Sequence, residues 1–115
     1  MLFKILETDE AVKDLTCIAF NAYDYTRDKE SGFRFLKSYN SVASDLCIHP
    51  LKFRDISLEH RGYRIHILPF GNYNLFYIVC RKNRSVYVLR VLYQKQDWWR
   101  ILRYEDYYHI QGKAI

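Results

Sequence analysis

The four glycines of this 115-residue chain are scattered, so it has no glycine-rich loop to cradle a phosphate and no GxSxG turn to present a nucleophilic serine. Its four histidines, His49, His60, His66 and His109, show no HExxH spacing. The cysteines, Cys17, Cys47 and Cys80, are odd in number, widely spaced and without a CxxC pair. Such a set fits neither a disulfide framework nor a zinc site, and no metal or cofactor is expected. Each cysteine falls in an apolar run, so all three are expected as buried thiols in a reducing cytoplasm. No stretch approaches the ~20 apolar residues of a membrane span. Met1-Leu2-Phe3-Lys4-Ile5 is too short and too quickly charged for a signal peptide, so the expected location is cytoplasmic. Carboxylates fall mostly in helices and turns, with no evident catalytic pair.

What is present is apolar bulk and positive charge. Half the residues are apolar and 17% aromatic, which rules out a disordered chain. The length fits one domain, residues 1–115. Eleven tyrosines exceed what such a core needs, so several are expected at its edges or on a binding surface. A net charge of +5 biases the chain toward anionic partners: nucleic acid, a ribosome or an acidic protein segment.

Leu2 to Leu6 reads as a strand. Thr8 or Asp9 then offers a helix N-cap, and Val12, Leu15, Ile18 or Ala19, and Ala22 recur at helical spacing, which predicts a helix over about 9–26. Residues 27–32 form a polar break. Phe33 or Phe35, Leu36, Tyr39, Val42 or Ala43, and Leu46 predict a second helix ending near His49-Pro50. Residues 51–61 read as an irregular, charged connection. Three meandering strands follow, over 63–68, 73–80 and 85–93, with turns at Pro69-Phe70-Gly71-Asn72 and Arg81-Lys82-Asn83-Arg84. A short helix over 94–102 and an extension over 103–115, either helical or ordered by a partner, complete an α+β domain whose helical hairpin packs on one sheet face.

Strand alternation puts Tyr63, Ile65 and Ile67 beneath the hairpin and leaves Arg64, His66 and Leu68 on an open face. In the last strand Val86, Val88, Arg90 and Leu92 share one side, and Tyr87, Leu89, Val91 and Tyr93 the other. Arg64 beside His66 suggests a phosphate contact next to a group that moves a proton near neutral pH. Tyr93, Trp98 and Trp99 could stack on bases, with one of the two tryptophans anchoring the C-terminal segment to the core.

The run Arg64-Ile65-His66-Ile67-Leu68-Pro69-Phe70-Gly71-Asn72-Tyr73-Asn74-Leu75-Phe76-Tyr77-Ile78-Val79, followed by Val86-Tyr87-Val88-Leu89-Arg90-Val91-Leu92-Tyr93 and Asp97-Trp98, resembles the RelE/ParE toxin family. The resemblance covers roughly residues 1–102. It implies a toxin, of the kind tied to plasmid stabilization and growth arrest, neutralised by a cognate antitoxin. RelE-like members cut mRNA on the ribosome as mRNA interferases (endoribonucleases), and ParE-like members bind DNA gyrase. On the RelE side the resemblance implies Arg64, His66 and Tyr93 as catalytic groups, with Arg61, Lys95, Arg90 and Arg81 on RNA. Asn74 stands where RelE has Arg, Gln96 replaces a basic residue, and no His ends the last strand. The expectation is a ribosome-dependent mRNA endonuclease; the alternatives are a gyrase inhibitor or a degenerate toxin that only binds antitoxin.

Overall fold

The computed structural model describes residues 2–115. The elements in chain order are β1 (Lys4–Glu7), α1 (Asp9–Thr26), α2 (Lys29–Leu46), β2 (Asp55–His60), β3 (Tyr63–Phe70), β4 (Tyr73–Cys80), β5 (Ser85–Tyr93), α3 (Trp98–Tyr104), β6 (His109–Ile110) and β7 (Lys113–Ala114). Thr8 is the N-cap of α1: its hydroxyl accepts from the Ala11 N–H and faces the Val88 and Leu89 carbonyls at 2.9 and 2.8 Å, so the helix start is spliced onto β5. Ala11, Leu15 and Ile18 of α1 and Phe35, Tyr39, Ala43 and Leu46 of α2 turn inward at helical spacing. The second helix begins earlier than its apolar pattern predicts, because Asp28 caps it and Gly32 lies at the crossing with α1. A Cβ at Gly32 would stand 3.0 Å from the Ala19 carbonyl oxygen, so the bare backbone lets the helices approach. Cys17 lies off the inward stripe and is exposed, contrary to expectation, while Cys80 is buried and Cys47 half-buried. Among the described residues no helix is long and apolar enough to cross a membrane.

The main sheet has the order β1-β5-β4-β3-β2, antiparallel except for the parallel β1–β5 pair. The expected meander of three strands is four: residues 55–60 form β2 against β3. This strand is masked in sequence by its charges and by a bulge between Asp55 and Glu59, where Ser57 adopts φ 62°. A second irregularity, between Phe76 and Tyr77, breaks the alternation of β5. Phe76 faces Arg90 and Tyr77 faces Val88, so Leu89 is the extra residue. Val86, Val88 and Val91 therefore point toward the hairpin, and Leu89 and Leu92 point away.

Both sheet faces are covered, which reverses one expectation. Ile65 and Ile67 lie not beneath the hairpin but in a second core with Ile56, Phe76, Ile78, Leu89, Leu92, Leu102 and Tyr108. Leu68 belongs to the hairpin core. The second face is closed by α3 and by the tail, which is neither helical nor free: β6 and β7 form a hairpin whose Gln111-Gly112 turn has φ 50° and 81°. Asp9 accepts the Gln111 and Gly112 N–H groups at 3.0 and 2.9 Å, and Glu10 accepts the backbone N–H and ring Nδ1 of His109 at 2.8 and 2.7 Å. Two neighbouring carboxylates at the start of α1 thus pin a C-terminal strap whose buried anchor is Tyr108. Trp98 packs on Phe76 in that core, and Trp99 is exposed.

Tyr108→Ala should lower unfolding stability by about 3 kcal/mol, whereas Tyr108→Phe, which keeps the ring, should stay close to the parent in denaturant titration. Burial opposes charge on Glu10, but its bonds from His109 outweigh this and hold the carboxyl below its ordinary value of 4.5. The folded state therefore favours ionised Glu10, and this contribution is complete above pH 4.5 and lost as pH falls below it. Hydrogen exchange of the 109–112 amides should show that loss in the parent and not in Glu10→Gln; an unchanged acid profile would remove Glu10 from the latch.

Candidate functional site

Register decides which of the sequence-nominated residues share a site. His66 faces Tyr77 and Phe70 faces Tyr73, which in turn faces Tyr93. Arg64 is six residues from Phe70 along β3, so Arg64 and Tyr93 sit roughly 20 Å apart along the strand direction and two strands apart across it. They do not converge on one phosphate. Arg64 is largely exposed and pairs with Asp55 at 3.3 Å. The Ser57 N–H and that guanidinium together hold the Asp55 carboxyl below its usual range. His66, expected on an open face, is half-buried under the segment that follows α2. Its Nδ1 lies 2.8 Å from the Phe53 carbonyl, which fixes the proton on that nitrogen, and its ring stacks on Tyr77 at 5.2 Å. The Tyr77 hydroxyl donates to the Pro50 carbonyl at 2.7 Å, and burial raises it above its ordinary range.

Tyr93 and Lys95 do meet, in a cleft with Asn72, Gln94 and Gln96 at the opposite end of the sheet. The Tyr93 ring contacts Tyr73 at 5.3 Å, and Tyr73 in turn contacts Phe70 and Phe35. Arg61 occupies the β2–β3 turn with its guanidinium 4.8 Å from the Tyr107 ring, and Arg81 opens the β4–β5 turn. Arg90 is committed elsewhere: Nε and Nη2 donate to Asp14 at 2.7 and 2.9 Å, and Nη1 donates to Glu105 at 2.7 Å. Burial works against its charge, but the two carboxylates more than compensate and raise it further above its ordinary value.

The surface that sequence reasoning missed is on the helical hairpin. A groove of about 320 Å³ runs between α1 and α2 over Gly32, walled by Phe20, Tyr23, Phe33 and Leu36. Phe20 and Phe33 are 65% and 68% exposed, far from the buried state their size favours. The signal was present in the sequence: both phenylalanines fall off the inward stripe Ala11-Leu15-Ile18 and Phe35-Tyr39-Ala43-Leu46. Among the described residues no cluster of three metal-ligating side chains exists.

Removing Arg90 leaves the half-buried Asp14 and Glu105 without their cation. Arg90→Ala is therefore expected to cost about 3 kcal/mol of unfolding stability, while Arg64→Ala, at an exposed pair, should change it by less than about 0.5 kcal/mol. Equal losses in chemical denaturation would overturn this assignment.

Residues 5–98 match the family described as the ParE toxin of the type II toxin–antitoxin system parDE. No curated protein matches the sequence. Among solved structures, the fold is similar to a chain of the RelBE2 toxin–antitoxin complex of Mycobacterium tuberculosis (20% identity, TM-score 0.57, 82% of this chain and 100% of that one). It is similar also to a chain of the archaeal RelE–RelB complex of Pyrococcus horikoshii (19% identity, TM-score 0.56, 84% and 99%). A chain of the chromosomal ParDE system of Pseudomonas aeruginosa aligns at 16% identity and TM-score 0.61, over 80% of this chain and 96% of that one. With the family match spanning most of its length, the chain belongs to the ParE toxin family of type II toxin–antitoxin systems, within the RelE/ParE fold.

Proposed function

We propose that this toxin acts by binding a protein target, DNA gyrase, rather than by cutting mRNA, and that its antitoxin neutralises it by laying an apolar segment into the groove of the helical hairpin. The observation that carries the antitoxin part of this reading is that groove: two phenylalanines held in water on a helix pair, next to a glycine that opens the floor. An amphipathic segment would find there the anchors that helix-in-groove recognition uses. Acid–base cleavage of RNA needs its groups within hydrogen-bond reach of one phosphate. The separation of Arg64 and His66 from Tyr93 and Lys95 counts against that chemistry. The matching family model is described as that of the ParE toxin, which supports the same reading. The matched structures are of toxin–antitoxin complexes, which supports an antitoxin as partner.

Purified toxin should inhibit gyrase supercoiling of plasmid DNA and leave an mRNA intact in a reconstituted translation system. Ribosome-dependent cuts in that message, with supercoiling unaffected, would replace this reading by the endonuclease one. Phe33→Ser should preserve the fold and growth arrest, yet weaken rescue by the co-expressed product of the adjacent gene by at least about tenfold in affinity, or ~1.4 kcal/mol. Full rescue of that variant would move the antitoxin off the groove.

A further inference from the structure

The hairpin of α1 and α2 differs in charge from the rest of the chain. The protein carries a net +5, yet residues 9–46 hold five cations against seven carboxylates, so the excess lies wholly outside the helices. Arg61, Arg81, Lys82 and Arg84 stand in the turns at the end of the sheet where β5 begins. Helix α1 starts beside Val88, passes Val91 at Asp14 and runs on in the same direction. Its turn into α2 therefore lies toward the opposite end of the molecule. Around that turn, residues 24–34 balance Arg27, Lys29 and Arg34 with Asp24, Asp28 and Glu30.

Exposed apolar surface gathers where the charge cancels. Val12, Phe20 and Tyr23 of α1 and Phe33 of α2 are each more than a third exposed, and the last three wall the groove over Gly32. Spacing places the three α1 residues on one side of the helix, away from the buried Ala11, Leu15 and Ile18. A knob and a hole thus lie side by side: Phe33 projects next to Gly32, whose missing side chain opens the groove floor beside Ala19. An interface between two identical copies needs this property, because a two-fold axis makes one patch supply both the inserted group and the site that takes it.

A second apolar patch, at the far end of α2, lacks that balance. Phe3, Ile48, Pro50 and Leu51 line it with His49 and Lys52 and no carboxylate, and Lys4 follows in β1. Two such patches brought together would set like charges against each other, whereas two hairpin turns bring balanced ones.

We infer that in the free toxin the hairpin groove is filled by the hairpin of a second copy, with Phe33 of each seated over Gly32 of the other. Two helices of 18 residues offer a face of about 27 by ~20 Å, so the pair buries roughly 1,100 Å² in all, near the lower limit of specific interfaces. An interface of that size suits a weak, exchangeable pair. The basic sheet turns stay at its outer ends, away from each other. On the reading that the antitoxin uses this same groove, pairing and neutralisation exclude each other, and the antitoxin engages only toxin that has come apart.

The test is sedimentation velocity of the full-length toxin without antitoxin, over a concentration series at low and high salt. The mass should rise from one copy to two across the micromolar range. Salt should leave the equilibrium unchanged or tighten it, by screening two copies that each carry +5. Phe33→Ser and Phe20→Ser, each checked for an unchanged circular dichroism spectrum, should weaken association at least about tenfold. Ile48→Ser, on the second patch, should associate like the parent. A single copy at every concentration, equal loss in Ile48→Ser, or a pair that salt dissolves would each overturn the inference. Free toxin that stays single while Phe33→Ser still escapes rescue would sink the pairing and leave the antitoxin in the groove. Pairing lost in Phe33→Ser with rescue intact would do the reverse.

Discussion

Arg90 stands where three layers of this protein meet. The parallel strand β1 ends opposite Val88, leaving the far half of β5 without a strand neighbour on that side. The protein fills the gap with α1: Asp14 accepts the Val91 N–H at 3.0 Å and holds the Arg90 guanidinium through both oxygens. The bulge at Leu89 turns Arg90 so that the same guanidinium also reaches Glu105 on the root of the strap. One side chain thereby fixes the hairpin on one face of the sheet and the tail on the other. A half-buried cation between two carboxylates adds little beyond a well-packed apolar trio, but it fixes their relative placement, since any slip strands a charge.

From that junction the two faces diverge in character. The hairpin face is the part shared with known toxins: the family match runs from the first strand to Trp98, and solved relatives align over almost their whole length. The strap beyond it lies outside that match and seals an apolar face with the chain's own residues, Tyr108 and Ile115 among them. The toxin therefore arrives with both sides of its sheet covered, and the outer hairpin presents two of its most exposed large apolar side chains, Phe20 and Phe33.

Much of this was legible in sequence. Apolar spacing located α1 and α2, and β3, β4 and β5 stood out as apolar runs bounded by turn residues. β2 was lost because it has only two large apolar side chains, Ile56 and Leu58, set among Arg54, Asp55 and Glu59. The facing of β3 came out reversed, since alternation separates two sides of a strand without saying which layer covers each. The site residues were harder still. Arg90 looked like a surface cation because its partner Asp14 is 76 residues away, and Arg64 and Tyr93 looked like companions because a motif compresses into one line what the register spreads along a sheet. The groove went unread because a phenylalanine on a helix is ordinarily assigned to the core.

The parallel pairing of β1 with β5 also constrains the order of events in synthesis. The first strand has no partner until residues 85–88 exist, and the opening turn of α1 waits for carbonyls 80 and 81 positions downstream and for the last turn of the strap. A chain still emerging from the ribosome can form its helical hairpin, a local structure, but cannot close the sheet around it. The closed fold, strap included, therefore cannot form until residue 112 has emerged from the ribosome.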